Sequence, residues 1–129
     1  MTISESIATW LQGYSIMEIN TDELKAEAET FGLFETPDDS SEEFLDGSIL
    51  RTEYYIFLIR RNAQLESERI SNQQFIEGLS EWVREQELAG KYPENMNIEK
   101  VWVAYAYMQE REEQEAIYQV SLGIERTIE

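Results

Sequence analysis

Residues 46–83, DGSILRTEYYIFLIRRNAQLESERISNQQFIEGLSEWV, decide the fold of this chain. The stretch opens with Asp46-Gly47, a turn dipeptide that typically joins two antiparallel strands. A long apolar strand follows, from Ile49 to about Arg61, and a helix comes after it. The sequence therefore predicts a hairpin followed by a helix, with a short first strand at about residues 42–45.

The side chains of the long strand alternate between its two faces. The odd positions begin polar and turn apolar at Tyr55, so we expect the first half of the strand to be covered on one face and the second half on both. Either another element of the same chain or a neighbouring subunit would cover Tyr55, Phe57 and Ile59. The even positions are apolar or aromatic almost throughout, and we expect them to form core: Leu50, Thr52, Tyr54, Ile56 and Leu58.

Two helices are predicted, each with an apolar stripe at helical spacing. The first begins with a capping-box pattern at residues 2–5 and ends near Gly13. The second is capped by Ser67 or Ser71 and ends at Gly90, a residue type that favours helix C-termini. The stripes that we expect to pack against a sheet are Ile3, Ile7, Trp10, Leu11 and Tyr14, and Phe75, Ile76, Leu79, Trp82 and Val83.

Residues 15–45 give weaker signals. TDELKAEAETF, residues 21–31, predicts a short helix capped by Thr21 or Asp22. FGLF, residues 31–34, predicts a short strand. ETPDDSSEE, residues 35–43, predicts an acidic loop in which Pro37 interrupts regular structure.

Two further strands follow the second helix, at residues 98–108 and at about residues 116–125. Their alternation predicts a hairpin, and the charged run QEREEQE, residues 109–115, predicts a mobile tip free of core contacts. Residues 1–129 contain no linker, so we expect one domain. The order of elements predicts an α+β fold, a mostly antiparallel β-sheet with two main helices packed against it.

The composition excludes several functions. The formal net charge is −17, with no cysteine and no histidine, so thiol chemistry, thiolate zinc sites and histidine catalysis are all excluded. Such a charge argues against specific nucleic-acid binding and against anionic membranes. No apolar run is long enough to span a bilayer, and the first residues do not form a signal peptide. An acidic surface that keeps the protein soluble, a wall that repels DNA and a DNA mimic remain open.

Catalytic and metal-binding patterns are also missing from the sequence. The acidic run PDDSSEE, residues 37–43, lacks the alternating oxygens and the central glycine of a calcium loop. No phosphate-binding or nucleophile-elbow motif is present. We therefore expect no enzyme activity, no cofactor and no metal site. A small carboxylate-metal hydrolase is the alternative that a thermal-shift assay with divalent ions would detect.

Arg60 and Arg61 form the densest positive spot of the chain. Arginines at the end of a strand commonly face water. In a chain this acidic, they also suit a carboxylate surface, such as that of a sister subunit.

The order of segments resembles the tail terminator proteins of long-tailed bacteriophages, including those often labelled minor capsid proteins. The matching features are the Asp-Gly-Ser turn at residues 46–48, the aromatic strand after it, and the helix that contains Trp82. Glu68, Arg69 and Asn72 match the start of that helix. The similarity covers most of the chain and is strongest over residues 46–94, whereas residues 20–43 match poorly.

This resemblance implies a structural protein of virion assembly. Such proteins form a ring, commonly a hexamer, on the last ring of the tail-tube protein, which ends tail polymerisation and creates the head–tail joining surface. The implied partners are further copies of the chain, the tail-tube protein and the head-completion or connector protein. The implied location is the tail–head junction of the virion, and the host cytoplasm during assembly.

The candidate interface residues follow from both lines of argument. We expect a monomer in dilute, low-salt solution and a ring in the virion. The acidic tip would then line a channel through which DNA slides, because carboxylates do not bind phosphate. The candidates are Arg60, Arg61, Tyr55, Phe57, Glu110, Glu112, Glu113 and Glu115. The alternative function is an acidic DNA mimic, or another inhibitor that binds a protein.

Overall fold

Two helices and five strands follow one another in the part of the chain that the computed structural model describes, residues 2–27 and 29–128 without the side chain of Asp38. In chain order they are α1 (Ile3–Leu11), β1 (Ile19–Thr21), β2 (Thr30–Glu43), β3 (Ile49–Asn62), α2 (Glu66–Ala89), β4 (Ile98–Arg111) and β5 (Glu115–Ile128).

The strands of the described residues form one sheet in the order β1-β2-β3-β5-β4. β1 pairs with β2 in parallel, and the other three pairs are antiparallel. The predicted α+β fold with a mostly antiparallel sheet is therefore confirmed. The tip of the β2–β3 hairpin and the tip of the β4–β5 hairpin lie at opposite ends of the sheet, because Ile49 pairs with Ile128 and Asn62 with Glu115.

Both helices pack on one face of the sheet, and this face holds the core. The odd side chains of β3 from Tyr55 to Ile59 are fully buried against α1, α2 and the even side chains of β5. The cover over Tyr55, Phe57 and Ile59 thus comes from the same chain. The predicted core at the even positions of β3 is wrong, because those side chains lie on the opposite face and stay partly exposed.

The long β2 replaces two shorter predicted elements. FGLF does lie in a strand, but the predicted acidic loop at residues 35–43 continues the same strand to Glu43. The ladder shifts its register between Glu35 and Asp39, and Pro37 sits within that shift. Proline is tolerated at a bulge and on a strand edge, where its missing N–H breaks no ladder bond. β1 pairs only with residues 31–33, so Pro37 has a free edge on its outer side.

The predicted helix within residues 21–31 is also wrong for the described part of that stretch. Residues 19–21 form β1, which pairs in parallel with residues 31–33, and residues 22–27 are turn and coil. The Thr21 or Asp22 cap therefore starts no helix. Asp22 has a left-handed backbone at φ 59°, a conformation that ends the strand and turns the chain.

The helix ends follow the sequence closely at α1 and less closely at α2. The backbone N–H of Thr2 donates to Glu5 and that of Glu5 to the Thr2 hydroxyl, both at 3.1 Å, which confirms the capping box. α2 begins earlier than predicted, at Glu66, so neither Ser67 nor Ser71 is its cap. Gly90 ends α2 with φ 67°, as predicted.

The closing hairpin is longer and tighter than predicted. β4 extends to Arg111 and β5 begins at Glu115, so only residues 112–114 remain for the turn. Glu110 pairs with Ile117 across the ladder, and the N–H of Glu112 donates to the carbonyl of Glu115 at 2.8 Å. Most of the predicted charged tip is therefore strand. Its mobility stays a prediction.

Candidate interaction surfaces

The sheet face opposite the helices carries an apolar and aromatic surface that we call the open face. It arises because the even positions of β3 pair with the odd positions of β5, and both point away from α1 and α2. The side chains are half-buried or exposed, and apolar areas of this kind mark interaction sites. The open face comprises Phe34, Leu50, Tyr54, Ile56, Leu58, Trp102, Tyr105, Tyr107, Ile117 and Gln119.

Aromatic contacts order the β4 side of the open face. Trp102 lies over Gly123 on the neighbouring strand and meets the ring of Tyr54 edge-on, at 6.1 Å between centroids. Tyr105 and Tyr107 stand next to each other at 5.7 Å, and the side chain of Gln119 hydrogen-bonds both hydroxyls at 3.3 Å. These side chains therefore hold a defined surface before any partner binds, which lowers the entropy cost of binding.

Residues 22–27 close one end of the open face. The Arg60 Nε donates to the carbonyl of Lys25 at 3.0 Å, and the carbonyl of Glu23 lies directly above Gly32, so close that a Cβ there would clash. The open face is thus bounded at the end of β3 that holds Arg60 and free at the end that holds Leu50.

Arg60 and Arg61 are engaged within the subunit. Their side chains are only 16% and 17% exposed. Arg61 Nε donates to Asn72 of α2 at 2.7 Å, its guanidinium lies 4.6 Å from the centre of the Phe75 ring, and Glu29 is 3.8 Å away. Arg60 lies on the other face, 4.0 Å from Glu115. Neither arginine simply faces water, since each forms contacts inside the fold, and their pairing with a sister subunit stays a prediction.

The other candidates divide between the core and the surface. Tyr55 and Phe57 are fully buried beneath the helices, so neither side chain reaches the surface of the subunit. Glu110, Glu112 and Glu113 are exposed at the end of the β4–β5 hairpin. Glu115, beside Arg60, is only partly exposed. The structure therefore brings the three exposed glutamates together and separates them from the two aromatic residues.

An ion-pair cluster stands on the same face of β3 as the core, and its residues are not among the candidates from the sequence. Glu53 is 4% exposed and accepts a hydrogen bond from Arg126 of β5. Arg51 lies 3.9 Å from the same carboxylate and also pairs with Asp39 of β2. The only sequence signal is the polar start of the odd face. The cluster joins three strands, β2, β3 and β5.

The tip of the β2–β3 hairpin is an exposed apolar point. Phe44 and Leu45 precede the turn, and both are exposed. The Asp46 carboxylate accepts bonds from the N–H of Ser48 at 2.9 Å and its hydroxyl at 2.6 Å, which lowers the pKa of Asp46. Gly47 takes the left-handed backbone at φ 88°, and the predicted turn is thus confirmed.

The hydroxyl of Tyr55, which is buried beneath the helices, has a shifted pKa. Burial, and the nearby Glu53 carboxylate, raise the pKa of Tyr55, which moves it away from neutral titration. Within residues 2–27 and 29–128, no three carboxylates stand close enough together to hold a metal ion. In the same residues, neither helix has an apolar run long enough to cross a membrane.

The sequence matches no protein-family model and no curated protein.

Proposed function

We propose that this protein is a structural component of a long-tailed bacteriophage, a tail terminator that closes the end of the tail tube as a ring. The resemblance over residues 46–94 supports this function. The structural observation that carries it is the open face, a broad apolar and aromatic sheet surface that no element of the described chain covers. Exposed apolar surfaces of this kind mark protein contacts.

In this proposal, apolar area holds the ring together. The cations best placed at a strand end, Arg60 and Arg61, already form contacts inside the subunit. Each copy carries a formal charge of −17, and this repulsion acts between neighbours over about 10 Å at 0.1 M salt. The protein is therefore a monomer in dilute, low-salt buffer. Moderate salt, divalent cations and the end of a tail tube favour the ring.

The ring then meets two further partners, the tail-tube protein on one side and the head connector on the other. The two hairpin tips lie at opposite ends of the sheet, which suits contacts in two directions. The apolar tip at Phe44 and Leu45 fits a protein partner. The acidic tip, Glu110, Glu112 and Glu113, fits a channel wall that DNA passes without binding.

Assembly on tail tubes tests the proposal. Ile56 lies at the centre of the open face, so Ile56→Glu places a charge there. The expected result is loss of rings in sedimentation velocity across a salt series, and loss of capped tube ends in negative-stain micrographs. The matched control is Ile16→Glu, because Ile16 is fully exposed between α1 and β1 and is not part of the open face.

Two results would contradict the proposal. One is wild-type protein that stays monomeric at every salt concentration and leaves tube ends bare. The other is an Ile56→Glu variant that caps tubes as well as the parent while melting at the same temperature. A thermal melt of both variants separates a lost interface from a lost fold.

A further inference from the structure

A groove runs along the outer edge of β4, with α2 as its other wall. Its volume is about 660 Å³. The apolar part of its lining comes from Ile76 of α2 and from Val101, Val103 and Ala106 of β4. The same lining carries three carboxylates, Glu77, Glu81 and Glu87, and two cations, Arg84 and Lys100. The groove is therefore an apolar trough with a charged wall in which carboxylates outnumber cations.

Two hydrogen bonds show which backbone groups of β4 point away from β5. The N–H of Val101 donates to the Glu87 carboxylate at 3.3 Å, and the carbonyl of Glu99 accepts from the Tyr92 hydroxyl at 3.4 Å. Glu87 and Tyr92 both belong to the segment that packs outside β4. The chain itself thus satisfies the outward backbone at the start of the strand.

The outward groups further along β4 follow from the register. The backbone direction alternates between successive pairs of an antiparallel ladder, and one extra residue enters β4 between Val103 and Tyr105. Val103, Ala106 and Met108 are therefore the next residues whose N–H and C=O point outward. No backbone or side-chain hydrogen bond within the described chain reaches these groups.

The same half of β4 is exposed on both faces. Every residue from Ala104 to Arg111 is exposed, including Tyr105, Tyr107 and Met108 at 48% each. An exposed edge strand with apolar side chains is a template for pairing with another strand. Proteins that lack a partner normally blunt such an edge with charge, proline or a covering loop.

We propose that the outer edge of β4 binds an extended, positively charged segment of another protein, which adds a sixth strand to the sheet. The segment takes its backbone bonds from Val103, Ala106 and Met108. Its alternate apolar side chains enter the groove beside Ala106, as in other cases of strand addition beside a helix. This site uses the strand edge and not the open face, so it does not rest on the proposed ring.

The balance of charge favours a cationic segment. Glu77, Glu81 and Glu87 line the groove beside Arg84 and Lys100, and Glu110, Glu112 and Glu113 surround Arg111 where β4 ends. The whole chain carries −17, which steers cationic partners toward it and repels acidic ones.

A second copy of this chain does not fit the same edge. On the other side of the described sheet, the edge is the three-residue β1 followed by the part of β2 from Phe34 to Glu43 that β1 does not reach. That edge has a proline, a register shift and several carboxylates, which are features that prevent edge pairing. A β4–β4 pair would bring two chains of −17 into contact. The free edge of β4 is thus suited to a partner of opposite charge.

A short peptide tests the site directly. The probe has about nine residues, in which valine alternates with lysine and threonine, a length that spans the exposed half of β4. The expected result is saturable binding in fluorescence anisotropy that weakens as salt rises. Two further peptides carry N-methyl groups, one on the odd residues and one on the even residues, so each lacks backbone N–H donors along one of its two edges. We expect one of these peptides to bind like the parent peptide and the other to lose at least about tenfold in affinity.

Variants of the protein test the same site with the parent peptide. Ala106→Pro removes one outward donor and spares the bonds to β5, and we expect at least about a fivefold loss of peptide affinity. Ala106→Trp fills the groove without touching the backbone and should lose as much. The pair Glu77→Gln and Glu81→Gln should flatten the salt dependence, whereas Glu85→Gln with Glu94→Gln, outside the groove, should not.

Three outcomes would overturn the site. Both N-methylated registers could bind as well as the parent peptide. Ala106→Trp could bind normally while melting at the parent temperature. Alternatively, the protein could pair with itself through β4, seen as a dimer in sedimentation velocity that Ala106→Trp abolishes.

Discussion

The indole of Trp102 occupies the space in which a side chain at position 123 would stand. The two residues face each other across the β4–β5 ladder, and a Cβ at Gly123 would overlap the ring. Trp102 is in turn held from the side by Tyr54 of β3. Glycine at position 123 therefore serves the packing of a neighbour, with no turn or bulge in β5 at that point.

Gly123→Ala should lower the free energy of unfolding by about 1–3 kcal/mol, since overpacking a filled site forces the ring to move. Urea unfolding followed by circular dichroism measures this. In a Trp102→Ala background, the same glycine substitution should cost little or nothing. A glycine effect of equal size in both backgrounds would mean that backbone conformation, and not the indole, restricts position 123.

Arg61→Ala should destabilise the subunit by about 2 kcal/mol, because it leaves the side-chain oxygen of Asn72 without its donor and removes a cation from the Phe75 ring. Arg61→Lys should recover part of this loss, since an ammonium keeps the charge but not the planar stacking. Arg84→Ala is the matched control, because Arg84 is exposed on the same helix that binds Arg61. Equal melting temperatures for all three variants would show that the arginine contacts contribute nothing to folding.

Glu53→Ala should cost about 3 kcal/mol, since it strips a partly buried Arg126 of its partner. Glu43→Ala, at an exposed position of β2, should change the unfolding free energy by less than about 0.5 kcal/mol. The double variant Glu53→Leu with Arg126→Leu should regain much of the loss. Chemical unfolding of the parent and these three variants checks this, and a double variant no more stable than Glu53→Ala would argue against a direct pair.

The stability of the protein should fall as the pH rises above about 10, the ordinary pKa of tyrosine. Burial, together with Glu53, raises the pKa of Tyr55 in the folded state, so the folded protein keeps a proton that the unfolded chain releases. The stability that this difference in pKa contributes is complete below the pKa of Tyr55 in the unfolded chain, and it is lost as the pH rises through the pKa of Tyr55 in the folded protein. Tyr55→Phe should flatten this alkaline loss in urea titrations. An unchanged slope would assign the loss to other groups, such as Tyr14 or Tyr92, whose pKa values are also raised.

Changing Glu110, Glu112 and Glu113 together to Lys should slow DNA ejection from phage particles, if the proposed ring places this tip along the channel. Glu115 is left unchanged because it faces Arg60 inside the subunit. The melting temperature should stay close to that of the parent, since the three side chains are exposed. Normal ejection by particles that carry the variant would show that this tip does not line the channel.

The sequence could predict the elements that depend on local signals. The capping box at Thr2, the turn at Asp46-Gly47 and the helix end at Gly90 each depend on residues close in the chain, and all three are present. The face of β3 could not be assigned in this way. Its even positions are as apolar as a core, and only the placement of the helices shows that they form the open face.

Two errors have distant causes. Glu53 made the start of the odd face of β3 appear solvent-exposed. In the structure its carboxylate is buried and pairs with Arg126, which is far along the chain. Pro37 suggested a loop, yet β1 stops before it and leaves the edge where a proline fits. The contacts of the candidate arginines could not be predicted for the same reason, because their partners Lys25, Glu29 and Asn72 come together only in three dimensions.

The strand order also sets a sequence of events for folding. β5 follows β4 in the chain but lies between β3 and β4 in the sheet, where it pairs along its whole length with β3, from Ile49–Ile128 to Asn62–Glu115. Pairing between distant segments is slow, because a large loop must close before any contact stabilises it. The buried face of β3 therefore has no strand beside it on that side until residues 115–128 arrive. While the chain is being synthesised, the edge of β3 that β5 later occupies is unpaired, and chaperone binding during that interval would protect it from aggregation.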